Sequence, residues 1–157
     1  MEEHEIKLIA YMLSDSSALG SINVTTAQDK AVPDVIFCLP RAQMALFLKV
    51  IFSCDGSVYI GKHDQPGVSY STISKRLAED LQHLLLRFGF TPRLRTKSST
   101  LNGLPYIAYE LQMLGESVVK RFISEIGIWG RDKAKTKILS CRSQKRHQRG
   151  VTRFRPG

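Results

Sequence analysis

Apolar residues recur at helical spacing over 5–17, where Ile6, Ile9, Ala10 and Leu13 share one face of EIKLIAYMLSDSS. SINVTT (21–26) has the pattern of a short strand, and AQDKAVPD (27–34) reads as a polar loop. Pro40 then opens a second helix, RAQMALFLKVIF, because a missing N–H is no loss in a first turn. After Asp55-Gly56 the period switches to alternation: SVYIG, the turn KHDQPG and VSYSTI make a hairpin. Ser74 stands where an N-cap belongs for KRLAEDLQHLLLRF, and Gly89 ends that helix. PRLRTKS and YIAYELQML flank STLNGLP, whose Asn102-Gly103 pair signals a second hairpin turn. ESVVKRFISEI is the last helix, closed by Gly127, and a basic tail follows.

From 40 to 127 the order is helix, strand, strand, helix, strand, strand, helix. This predicts an α+β fold in which a four-stranded antiparallel sheet carries helices on one face. Alternation assigns Val58, Ile60, Leu94, Ile107, Tyr109, Leu111 and Met113 to the covered face. Tyr59, Arg93, Arg95, Lys97, Glu110 and Gln112 fall on the other, and Lys62 and His63 belong to the tip of the first hairpin. Such a face can serve the DNA major groove, where Arg and Lys meet guanine and Gln meets adenine. It can equally be an ordinary solvated surface.

Composition narrows the class. A chain of 157 residues with 43% apolar content fits one compact domain. No apolar run of the roughly 18 residues that a membrane span needs occurs, and no charged-then-apolar leader pattern suggests secretion. Cys38, Cys54 and Cys141 are odd in number and far apart, so neither a disulfide framework nor a zinc site is expected, and a reducing cytoplasm is. His4, His83 and His147 lack ligand spacing. Residues 131–157 hold ten Arg or Lys against one acid, Asp132, which accounts for the whole net charge of +9. A basic segment of that kind is the footprint of a polyanion, or else a solvated tail.

One feature of the pattern is electrostatically awkward. Helices favour basic residues in their last turn, because the C-terminal carbonyls repel negative charge. FLKVIFSCDGSVY (47–59) instead ends its helical run on Asp55, and the first helix ends on Asp15. From the residues alone, Asp55-Gly56 reads as a turn.

LFLKVIFSCDGSVY (46–59) resembles the second signature helix of the LAGLIDADG homing endonucleases, and LIAYMLSDSS (8–17) a degraded first one. The order over 40–127 is similar to that family's αββαββα unit. LPRAQMALFLKVIFSCDGSVY and LAEDLQHLLLRFGF resemble in particular the endonuclease domains of inteins in bacterial replicative DNA helicases. The resemblance implies a truncated first half over 1–39, a complete second half over 40–139 and a basic tail over 140–157. It implies site-specific hydrolysis of double-stranded DNA, with Asp15 and Asp55 holding a divalent metal, Mg2+, and serving as catalytic acids. Lys133 then takes the place of the basic residue near the attacking water, with Lys135 as a competitor, and Tyr59, Lys62, His63, Arg93, Arg95, Lys97 and Gln112 contact DNA.

The stretch between Asp15 and the second motif helix is too short for a first αββαββα unit. Either the first helix pairs with residues 41–54 within the chain, or two chains dimerise through that helix. Ala10 and Ser14 permit close approach, whereas Val50 asks for a wider contact. Neither splicing end is present, so the chain by itself is not expected to splice. Two other classes stay open: a catalytically inactive DNA-binding descendant, and a maturase-like RNA-binding protein that assists intron splicing.

Overall fold

The computed structural model describes residues 1–14 and 25–140. Pro40 sets the start of the central helix, α4 (Arg41–Asp55), and its carbonyl accepts hydrogen bonds from the Gln43 and Met44 amides. A helix that is apolar around most of its circumference must be enclosed. α4 accordingly buries Met44, Phe47, Leu48, Val50, Ile51 and Phe52. Helix α1 (Glu3–Ser14) lies along it, with Ile6 and Ala10 fully buried. Phe52 packs 5.3 Å from Tyr70 and 5.1 Å from Phe122, ring centre to ring centre. Phe90 adds an edge contact to Phe122 at 5.9 Å. These rings join α4 to the sheet and to α6 (Glu116–Glu125).

The sheet has the order β1-β2-β4-β3, with every neighbouring pair antiparallel. Its strands are β1 (Gly56–Ile60), β2 (Pro66–Thr72), β3 (Arg93–Leu101) and β4 (Leu104–Leu114). Register places Val58 opposite Val68, Val68 opposite Met113, and Leu94 opposite Leu111, so these side chains share the helix-covered face. Asn102 (φ 51°) and Gly103 (φ 80°) form the two-residue turn between β3 and β4, whose left-handed backbone suits this pair. Helix α5 (Lys75–Arg87) starts on buried Ser74, whose Oγ accepts from the Leu77 amide and donates to the Lys30 carbonyl. It ends at Gly89 (φ 75°), with the Phe90 amide returning to the Leu85 carbonyl. The α+β order expected over 40–127 is the one found. No described helix is long and apolar enough to cross a membrane.

Several local expectations need correction. Thr25 opens a one-turn helix, α2 (Thr25–Gln28), where the strand reading of 21–26 ended; 21–24 lie outside the described residues. The polar loop 27–34 gives way to a second short helix, α3 (Asp34–Phe37), which exists because Ile36 is fully buried. The first hairpin tip is tighter than expected, with a 3-10 turn at Lys62–Asp64 and β2 beginning at Pro66. The basic stretch after Gly127 is not all tail: Asp132–Ser140 forms α7, which buries Ile138 and leaves its lysines outward or bonded to neighbours.

Ala10→Leu tests the α1–α4 seam. The added side chain overpacks a fully enclosed position, and the cost should be about 1–3 kcal/mol. Leu8→Ala, on the exposed side of the same helix, should stay within about 0.5 kcal/mol. Urea unfolding measures both, and an unchanged midpoint for Ala10→Leu would contradict this packing.

Candidate functional site

α4 passes directly into β1 without a loop. The Gly56 amide still bonds the Phe52 carbonyl, while its own backbone is already extended (φ −79°, ψ 166°). A Cβ at this position would come within 2.4 Å of the Phe52 oxygen, so the sharp exit requires glycine. That exit leaves Asp55 as the exposed last residue of a helix with no basic residue in its last turn.

The surroundings answer the charge from other elements. The Tyr70 hydroxyl donates to Asp55 Oδ2 at 3.5 Å. Tyr70 is 2% exposed, and burial, then the neighbouring Asp55 carboxylate, push its phenol well above the usual range. Arg131 donates to the Gly56 carbonyl at 2.7 Å. It is brought there because the Trp129 amide bonds Ser53 Oγ at 2.8 Å and Lys49 lies over the Trp129 ring.

A cavity of about 310 Å³ opens beside this corner, lined by Asp55, Tyr70, Lys30, Leu13, Ser14 and Tyr106 among others. Lys30 Nζ donates to the Leu13 carbonyl at 2.7 Å, so a cation answers the negative C-terminal end of α1 within the cavity wall. Ser14 lines the same cavity, but Asp15 lies outside the described residues. Lys133 sits exposed in the first turn of α7 and does not line the cavity. Lys135 bonds the Ile128 carbonyl and pairs with Asp132, both at 3.0 Å. Lys30 and Arg131 escaped the sequence reading. Both reach the corner through tertiary packing, from segments that read as a polar loop and a basic tail.

The open sheet face carries Tyr59, Arg93, Arg95, Lys97 and Gln112 together, as alternation required. Arg93 lies opposite Gln112 and Arg95 opposite Glu110. Gln112 Nε2 donates to the Tyr59 hydroxyl at 2.6 Å, and its Oε1 is buried without a donor among the described residues. The Tyr59 ring covers Gly67 so closely that a Cβ there would meet it at 2.6 Å. Gln112 is thus turned into the sheet rather than outward. Lys62 and exposed His63 occupy the β1–β2 tip, with His63 in the left-handed region (φ 59°).

Among the described residues no three His, Cys, Asp or Glu side chains converge as a ready-made metal cage. A magnesium site needs less, since that ion keeps its waters and takes one or two carboxylates plus phosphate oxygens. Asp55 on an open cavity of mixed polar and apolar lining fits one half of such a donor set.

The fold and this helix–acid–strand corner define a class: the LAGLIDADG-like domain family matches residues 42–127, and the chain belongs to it. The matched span runs from α4 through α6. Relatives include the replicative DNA helicase DnaB of Rhodothermus marinus, 36% identical over 104 residues, 65% of this chain and 11% of that protein. The gyrase A protein of Mycolicibacterium flavescens, part of its DNA gyrase, is 30% identical over 136 residues, covering 87% of this chain and 23% of that protein. The small replication factor C protein of Methanocaldococcus jannaschii is 40% identical over 81 residues, 52% of this chain and 4% of that protein. The chain thus spans less than a quarter of the length of each of these relatives.

Tyr70 provides an alkaline test. An unfolded tyrosine ionises near pH 10.0, whereas the folded phenol keeps its proton beyond that point. Above pH 10 the unfolded state therefore binds fewer protons, and the fold loses stability as pH rises. Urea unfolding should show wild type losing ground against Tyr70→Phe above that pH, by at most about 1.4 kcal/mol per unit. Parallel curves from pH 8 to 11 would contradict the confinement of this phenol.

Proposed function

We propose that the chain is a site-specific, magnesium-dependent endonuclease of double-stranded DNA, derived from an intein. The observation that carries this reading is the Asp55 carboxylate, delivered by a buried helix to an open cavity and exposed next to the first strand of a basic sheet. Alignments to a helicase, a gyrase and a replication factor, each over a minor fraction of that protein, support a domain inserted into unrelated hosts.

The residues divide the work. Arg93, Arg95, Lys97 and Lys62 lie along or at the end of the open face, where they can bind phosphates and base edges. Asp55 offers carboxylate oxygens for Mg2+, with Asp15 as the second acid that the sequence supplies. When bound, the ion neutralises charge on the scissile phosphate and makes a bound water nucleophilic. Tyr70 holds one oxygen of Asp55 in place, and Arg131 fixes the Gly56 carbonyl beneath it. Lys30, rather than Lys133, puts its ammonium on the cavity wall, where it can meet a phosphate oxygen. Because α1 already lies along α4, we favour pairing of the two motif helices within one chain over a homodimer through 41–54.

A second reading has its own observation. The described cavity wall holds a single carboxylate, which suits a descendant that binds DNA without cutting it.

Plasmids carrying uninterrupted helicase and gyrase genes, incubated with the protein and Mg2+, separate the two. Wild type should give linear product, and chelation of the metal should abolish it. Asp55→Asn should lose about 100-fold or more, since changes one shell further out already cost about 10–100-fold. Equal cutting by the variant would sink the assignment of Asp55, and binding without cutting by wild type would select the second reading.

A further inference from the structure

The open sheet face holds one carboxylate among the described strand residues, and it is the most enclosed polar side chain there. Glu110 is 8% exposed although it points away from the helices. It lies between Ser71 on β2 and Arg95 on β3. Lys97, two residues farther along β3, reaches back to Glu110 Oε1 at 2.7 Å. The two side chains differ in setting: that of Glu110 is 11% exposed, that of Lys97 54%.

This asymmetry decides what the pair can do. A carboxylate so enclosed has little water to solvate it and holds its cation more firmly than a fully exposed partner does. The charge of Lys97 is answered before any DNA arrives, so its attraction to the nearest phosphate is weakened. Its ammonium carries three N–H donors, and the ion pair with Glu110 keeps them close to one place above the sheet. A lysine free to swing goes to phosphates, which position a protein without informing it of sequence. A lysine held over the groove meets instead the O6 and N7 acceptors of guanine.

We propose that Glu110 is a specificity-determining positioning residue: it holds Lys97 over the sheet and turns a phosphate-seeking cation into a donor for a guanine edge. The proposal rests on the duplex-binding reading above. Glu110 does not itself touch the base.

The test compares wild type, Glu110→Gln and Glu110→Gln/Lys97→Gln on random-sequence duplex DNA, with affinity measured across a salt series and preferred sequences recovered by selection. Releasing Lys97 to a phosphate should steepen the slope of log affinity against log salt by about 0.9 in Glu110→Gln. The double variant should return to the wild-type slope. Selection with wild type should enrich a G·C pair at one position where Glu110→Gln enriches none. Wild-type binding with an unmoved slope and unchanged preferences would overturn this proposal alone. A steeper slope that persists in the double variant would overturn it too, since the new contact would not come from Lys97. Failure of wild type to bind duplex DNA at low salt would overturn the duplex-binding reading and this proposal with it.

Discussion

The seam between α1 and α4 is the constraint that the rest of the structure accommodates. α4 buries residues on several sides of its axis, including Phe47, Val50, Ile51 and Phe52, and α1 closes one of those sides with Ile6 and Ala10. Both Val50 and Ala10 are fully buried. The small Ala10 lets α1 lie close to α4, whose buried residues are mostly bulky. A helix enclosed in this way emerges only at its end. The chain leaves through Gly56 straight into β1, and Asp55 is the point of exit.

A carboxylate at a helix C-terminus is disfavoured by about 0.3–1 kcal/mol from the helix dipole alone. Here the compensation is tertiary. The Tyr70 hydroxyl approaches from the sheet, Arg131 from the segment before α7, and Lys30 shares the cavity from the loop before α3. The surface ion pairs contribute little by comparison. Lys7–Glu3, Lys75–Glu79, Lys120–Glu116 and Arg121–Glu125 are local helix pairs, each worth about 0.3–0.5 kcal/mol. The non-local electrostatics therefore lie at the Asp55 corner, in the Arg41–Glu125 pair between α4 and α6, and in the Lys97–Glu110 pair on the open face.

The sheet was legible because its two faces differ so much in chemistry. Val58, Leu111 and Met113 alternate with Tyr59, Glu110 and Gln112, and a one-residue slip would exchange core for solvent. Ser74 and Asn102-Gly103 were legible because each does a job few other residues do. What escaped was set by tertiary packing. α7 hides behind its charge: Ile138 alone is fully enclosed, and lysines obscure the period. α3 is four residues long and owes its existence to Ile36. Lys30 lies 25 positions before Asp55 in a segment with no motif of its own, and only the fold puts both on one cavity. The inward turn of Gln112 toward Tyr59 depends on the space above Gly67, which no alternation pattern records.

Helices α1 and α4 pack against each other within one chain, and that packing aims Asp55 at its cavity. A twelve-residue helix such as α1 is marginal on its own, so lasting protection of its amides must come from packing. Amide hydrogen exchange across α1, measured at low and at high protein concentration, tests this most directly. Pairing within the chain predicts slow exchange around Ala10 that is the same at both concentrations. Exchange as fast as in a free peptide, or protection that grows with concentration, would contradict it.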